Sequence, residues 1–244
     1  MIPKKIHLVW LGDAARSDLN VRCVDSWRRV MPDYEIKEWG DGDMDLDTPY
    51  CRAAYEAGRW SRISNVVRLR ALQAEGGVYL DTDVEAMKSF DPLLRHGCFV
   101  GFQQGRREAD WVNTAVIGAE ADHPFLARCL EITENVFAET GRFARAPWVA
   151  TRALSELGLR DYGLQDAGGV AVYPTEYFYP YPWYGTFSPE CVTDETFAVH
   201  HWEGTWTPRG PRKAALRVLK RGLAALDSRL GTGRGRARGG SHRM

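Results

Sequence analysis

Gly76-Gly77-Val78-Tyr79-Leu80-Asp81-Thr82-Asp83-Val84 is the stretch on which the reading of this chain turns. Behind two glycines, Val78 to Leu80 is an apolar run that reads as a buried strand, and successive side chains on an extended strand point to opposite faces. Asp81 and Asp83 are therefore expected on one side, with Thr82 on the other. Two carboxylates facing together repel and raise the pKa of one of them unless something positive lies between. A divalent cation meets that need, and hard oxygen ligands suit Mg2+ or Mn2+. An Asp-x-Asp triplet alone also describes two solvated acids after a strand, so the flanking sequence has to decide.

Upstream, residues 61–75 predict a helix with Ser61 as N-cap, stopped by Gly76-Gly77. At about 100° per residue, Ser64, Asn65 and Arg68 share one third of its circumference, beside an apolar stripe of Ile63, Val67, Ala71 and Ala74. An arginine on a largely buried helix needs an anionic partner. Further back, 5–11 reads as a strand ending at Gly12, 20–30 as a helix with Val21, Val24 and Trp27 on one face, and 34–39 as a second strand after Pro32-Asp33. Strand, helix, strand at this spacing predicts a parallel α/β sheet.

Downstream, 84–87, 98–102, 112–117 and 197–201 read as strands, and 123–136 and 148–157 as helices. Residues 168–183 crowd Tyr173, Tyr177, Phe178, Tyr179, Tyr181 and Trp183 together, either as a hydrophobic plug or as a surface for sugar rings. Residues 211–226 read as a basic amphipathic helix, and 231–244 as a disordered Gly/Arg-rich tail.

A chain of 244 residues is long enough for one elaborated domain. No apolar run approaches the roughly 18–20 residues of a membrane span, and the short apolar start containing His7 reads as the first strand rather than a signal peptide. Five scattered cysteines with no Cys-x-x-Cys pair predict reduced thiols in a cytoplasmic protein. The zero net charge hides an asymmetry: 11 Lys/Arg but only Asp227 fall between Arg209 and Met244, so that segment carries about +10 and the rest about −10. The acidic body argues against nucleic acid as a partner. The basic helix either docks on anionic lipid or covers the acidic body.

Three blocks now fall together: Ile2-Pro3-Lys4-Lys5-Ile6-His7-Leu8-Val9-Trp10-Leu11-Gly12, residues 61–84, and His200-His201-Trp202-Glu203-Gly204-Thr205-Trp206. Jointly they resemble the DXD-type sugar-nucleotide glycosyltransferases of family 32, which include capsular polysaccharide and mannosyl transferases, and the related glucosyltransferase domains of bacterial toxins. The resemblance implies a GT-A-type, Rossmann-like, mostly parallel sheet flanked by helices over residues 1–208; the basic helix, bounded as 209–230, and the tail 231–244 follow it by their own pattern. It implies a UDP- or GDP-sugar donor, a Mn2+ or Mg2+ cofactor, a glycan or lipid-linked hydroxyl acceptor, and transfer with retention at the anomeric carbon. It places Trp10 on the donor base, with Val9 and Leu11 at its edge. Ser64, Asn65 and Arg68 fall at the sugar or phosphates, Tyr79 and Trp206 near the nucleotide, and Asn113 on the acceptor side. Asp81, Asp83 and His201 become the metal ligands, with His200 the rival of His201. One departure touches sugar choice: the family usually has Ser-Asp where this chain has Ser64-Asn65, and an amide loses the charge-assisted bond of a carboxylate.

Two other readings use the same residues. A metal-dependent phosphodiesterase or nucleotide-sugar hydrolase needs a further cluster of Asp, Glu or His, for which the sequence gives no signal. A nucleotide-sugar or carbohydrate-binding protein without turnover is compatible with Asn65. The expected location is cytoplasmic, with peripheral contact at the inner face of the membrane through 211–226.

Overall fold

A computed structural model of the chain describes residues 1–204. Trp206, the basic helix 209–230 and the tail 231–244 lie outside the described residues. The chain begins with β1 (Lys5–Val9), α1 (Asp18–Val30) and β2 (Glu35–Trp39), the strand, helix, strand order read from sequence. Next come α2 (Pro49–Glu56), α3 (Trp60–Glu75), β3 (Gly77–Leu80) and β4 (Val84–Ala86). The second half runs β5 (Cys98–Phe102), β6 (Val112–Ala119), α4 (Pro124–Thr140), α5 (Ala146–Glu156), β7 (Gln165–Ala167), β8 (Val170–Tyr173), α6 (Thr175–Phe178) and β9 (Ala198–His200).

Seven strands form one sheet in the order β2-β1-β3-β6-β5-β8-β7, and β4 pairs with β9 in a small second sheet. β1 is parallel to β2 and β3, and β5 to β8, whereas β6 is antiparallel to β3 and β5, and β7 to β8. Five strands thus run one way and only β6 and β7 oppose them, the mostly parallel α/β arrangement expected. Strand alternation feeds both faces: Tyr79, Val100 and Ile117 pack with Leu72 of α3 and Leu126 of α4, while Val78, Leu80 and Val116 pack with Trp27 of α1 and Val84 of β4. From β1 the chain steps to β2 on one side and later to β3 on the other. In open α/β sheets ligands bind outside the carboxyl ends of the strands where the order reverses in this way.

Several boundaries differ from the sequence reading. α1 starts two residues early because Ser17 and Asn20 close a capping box, the Ser17 side chain accepting from the Asn20 amide. α3 begins at Trp60, and Arg59 precedes it without a side-chain cap, so Ser61 is inside the helix rather than at its N-cap. α2 was not foreseen, although Thr48 caps it and Pro49 opens it. β1 ends at Val9, which leaves Trp10 beyond the strand and half-buried. In the aromatic segment Tyr173, Phe178, Tyr179 and Tyr181 are buried, so these rings form a plug. All five cysteines are free. No helix among the described residues is long and apolar enough to cross a membrane.

Candidate active site

The site is built from the end of β3. Alternation puts Tyr79 and Asp81 on the α3 side of the sheet, and the Tyr79 hydroxyl donates to Asp81 Oδ1 at 2.7 Å. β3 stops at Leu80, so extended alternation does not carry on to Asp83 as the sequence suggested. Instead the Val84 amide donates to the Asp81 carbonyl at 2.9 Å, and the resulting turn folds Asp83 back beside Asp81. The two carboxylates meet as expected, by a different route.

Arg68 reaches them from α3 and is 7% exposed. Its Nη2 lies 3.0 Å from Asp81 Oδ1, its Nη1 donates to the Thr114 carbonyl at 2.8 Å, and its guanidinium carbon stands 4.4 Å from the centre of the Tyr79 ring. Burial is the largest single influence and opposes the charge, but Asp81 together with Tyr79, Tyr179 and Asp83 outweighs it and holds the guanidinium above its ordinary pKa. Here is the anionic partner that a buried arginine requires.

The third side comes from β9, where His200 stands opposite Val84. His200 Nε2 is 3.2 Å from Asp83 Oδ1, and Asp83 Oδ2 accepts from the Glu203 amide at 2.8 Å. Burial works against both charges; their mutual attraction wins, leaving the carboxyl below and the imidazole above its usual range. Ligand atoms of Asp81, Asp83 and His200 all lie within 4.8 Å of one another. That is close to the ~4.2 Å between opposite ligands on an ion bound at ~2.1 Å. Two carboxylates and an imidazole also form a donor set that suits Mn2+. The residues present therefore fit a divalent cation.

His201, expected in this place with His200 as its rival, is elsewhere. Neighbours on a strand face opposite ways, and His201 turns outward, its Nε2 2.9 Å from Glu85 Oε2 and its ring against Phe187. The histidine beside the aspartates is His200.

Asp81 and Asp83, together with Arg68, line a cleft of about 310 Å3, within the size range of small-molecule sites. Val9, Trp10 and Leu11 wall it at the end of β1, and Ser64 faces it from α3. The Trp10 indole donates to the Ala14 carbonyl at 3.0 Å, and the Arg16 guanidinium lies 5.3 Å from its ring centre. Asn65, expected at the donor beside Ser64, lines a separate small cavity with Tyr50 and Thr114, on the far side of Arg68. Asn113, expected on the acceptor side, has its amide committed to the sheet: Nδ2 donates to Gln103 Oε1 at 2.7 Å and Oδ1 accepts from the Ala115 amide at 2.8 Å. The sequence reading missed Ser17, Asn20 and Glu203, which also line the cleft; the Ser-x-x-Asn spacing of a helix start was the one local signal for the first two.

Residues 17–100, which hold α3, β3 and both aspartates, match the family model described as the glycosyltransferase sugar-binding region containing a DXD motif. Inositol phosphoceramide mannosyltransferase 3 of Schizosaccharomyces pombe is 30% identical over 143 residues, covering 55% of this chain and 37% of the relative. Lactosylceramide 4-alpha-galactosyltransferase of Mus musculus is 31% identical over 173 residues, covering 64% of this chain and 46% of the relative. The chain thus spans less than half the length of either relative. Among solved structures, the PaToxG glycosyltransferase superposes with a TM-score of 0.51 at 18% identity, over 64% of this chain and 69% of that one. The GT-A-type fold expected from the sequence is the fold found. Residues 17–100, with the aspartate pair at the end of β3, are thus similar to the sugar-binding region of the DXD-containing glycosyltransferases.

Proposed function

We propose that this chain is a metal-dependent, retaining glycosyltransferase that moves a hexose from a UDP- or GDP-sugar to a hydroxyl of a glycan or lipid-linked acceptor. The observation that carries the reading is the meeting of Asp81, Asp83 and His200 beside Arg68, with both aspartates and the arginine lining a cleft whose wall includes Trp10.

Breaking a sugar–phosphate bond builds negative charge on the departing diphosphate and positive charge on the sugar. A divalent cation held by Asp81, Asp83 and His200 would supply a Lewis acid for that diphosphate. Arg68 adds a fixed positive charge in the same cleft, held in place by Thr114 and by the Tyr79 ring. Tyr79 and the Glu203 amide orient the two aspartates by hydrogen bonds to one oxygen of each. Trp10 offers the donor base a flat apolar face. The carboxylates lining the cleft, Asp81, Asp83 and Glu203, each already accept a hydrogen bond or face a cation. This supports a front-face reaction, in which the departing phosphate oxygen takes the acceptor's proton and no protein base is needed.

Both relatives carry a ceramide lipid in their names, which favours a lipid-linked acceptor here and work at a membrane surface, on the cytoplasmic side in this reading. Among the described residues a second cluster of three metal-ligating side chains is not found, which disfavours a two-metal hydrolase. Incubation with a panel of UDP- and GDP-sugars and Mn2+ tests the reading. Wild type should release free nucleotide slowly, and faster with the right acceptor, while Asp83→Ala should be silent; full Mn2+-dependent turnover by Asp83→Ala would refute it.

A further inference from the structure

Glu203 reaches the head of α1 from the chain that follows β9. Its Oε2 accepts from Ser17 Oγ at 3.0 Å and from Asn20 Nδ2 at 2.9 Å. Asn20 is 1% exposed, and its Oδ1 accepts from the Ser17 amide at 3.2 Å, which fixes the amide orientation and leaves Nδ2 to Glu203. That same Nδ2 lies 3.4 Å from the carbonyl of Thr82, the residue between the two aspartates. Meanwhile the Glu203 amide holds Asp83 Oδ2, so that Oδ1 is the oxygen facing His200.

The backbone between His200 and Glu203 is not relaxed. Trp202 has φ +56°, an uncommon conformation for a bulky residue that persists only where the surroundings over-determine it. One restraint is the Trp202 indole, which donates to the Tyr181 carbonyl at 3.0 Å and lies tilted by 41° against the His200 ring, 4.1 Å between ring centres. Further restraints are the His201 amide, which donates to the Asp83 carbonyl at 2.9 Å, and the Glu203 carboxylate on α1. β4 and β9 contribute three residues each, too little for a two-stranded ribbon to hold this segment alone.

We propose that Glu203 is a positioning residue: its carboxylate latches the chain after β9 to Ser17 and Asn20, and the latch sets which oxygen of Asp83 is presented at the cation site. Glu203 lies outside the group of three ligand atoms, so it acts through Asp83 and not on the cation. The inference rests on the metal-dependent reading above.

Donor and acceptor roles can be exchanged to test it. Asn20→Asp keeps an acceptor for the Ser17 amide and adds a carboxylate in the first turn of α1, where the helix dipole favours one. It also sets that carboxylate against Glu203. Glu203→Gln keeps an oxygen that accepts both bonds, and in the double variant the new amide at 203 can donate to the new carboxylate at 20. Affinity for Mn2+ alone, from electron paramagnetic resonance titration of free ion, should fall about 10- to 100-fold in Asn20→Asp and in Glu203→Ala. It should stay within about twofold of wild type in Glu203→Gln and recover in the double variant. Hydrogen exchange of the 200–204 segment, measured without metal, should speed up in the two weak binders and in neither of the others.

Glu203→Gln binding as poorly as Glu203→Ala would overturn the proposal in favour of a direct role for the charge. Unchanged Mn2+ affinity in Asn20→Asp, with wild type binding normally, would overturn the latch alone. Absence of Mn2+ binding by wild type itself would overturn the metal reading and the latch's role with it.

Discussion

At Gly77 the backbone leaves no room for a side chain: φ is +118°, and a Cβ would lie 2.7 Å from the Lys5 carbonyl oxygen. Gly77→Ala should therefore cost about 3 kcal/mol, read as a lower urea midpoint, because the start of β3 would have to part from β1. At the other end of β3 the chemistry depends on which histidine turns inward. His200→Asn should weaken Mn2+ binding at least tenfold, whereas His201→Asn, which loses its bond to Glu85 and its contact with Phe187, should bind within about threefold of wild type; isothermal titration checks both. The difference marks how far residues could be read in advance. Asp81, Asp83 and Arg68 were legible because a buried like-charge pair and a buried arginine each demand a partner of opposite charge. Alternation showed that His200 and His201 face apart, but only the pairing of β9 with β4 decides which one faces Asp83. Glu203 had no local signature, since its partners lie 183 and 186 residues away in sequence.

Among elements, α3 does the most to join fold and site, carrying Arg68 in its middle and Glu75 at its end. Glu75 accepts from Lys5 of β1 at 2.8 Å and from Lys37 of β2 at 2.5 Å. These bonds pull its carboxyl down from 4.5 to about 2. The folded state thus binds this proton less readily than the unfolded chain. The stabilisation is complete above pH 4.5 and is lost as the pH falls towards 2. Solvent screening keeps it to about 1 kcal/mol. Urea midpoints between pH 6 and 2 should fall less steeply in Glu75→Gln than in wild type, and identical slopes would remove Glu75 from the acid response. Long periodic helices such as α3 and α4, and the apolar strands β3, β5 and β6, were readable from pattern. α2 was not, because its eight residues offer only two turns of periodicity and its evidence lay in the Thr48-Pro49 start. β7 has three residues and exists through its pairing with β8.

For the molecule as a whole, the order β2-β1-β3 explains why the site lies where it does. The chain departs from β1 in both directions, and the crevice at that divergence brings Trp10, from the end of β1, and Asp81, from the end of β3, into one cleft. The basic residues after Arg209 belong to this scale too. If they hold the chain at a membrane, flotation with anionic vesicles should recover the full chain and lose the protein truncated after residue 208; equal partitioning would remove membrane docking. Capture of a cation by Asp81, Asp83 and His200 is tested directly by a crystal soaked in manganese with UDP or GDP and measured at the manganese absorption edge. An anomalous peak bounded by Asp81, Asp83 and His200, with the base against Trp10, is expected. A peak at Glu85 and His201 instead, or a nucleotide bound away from Trp10, would contradict it.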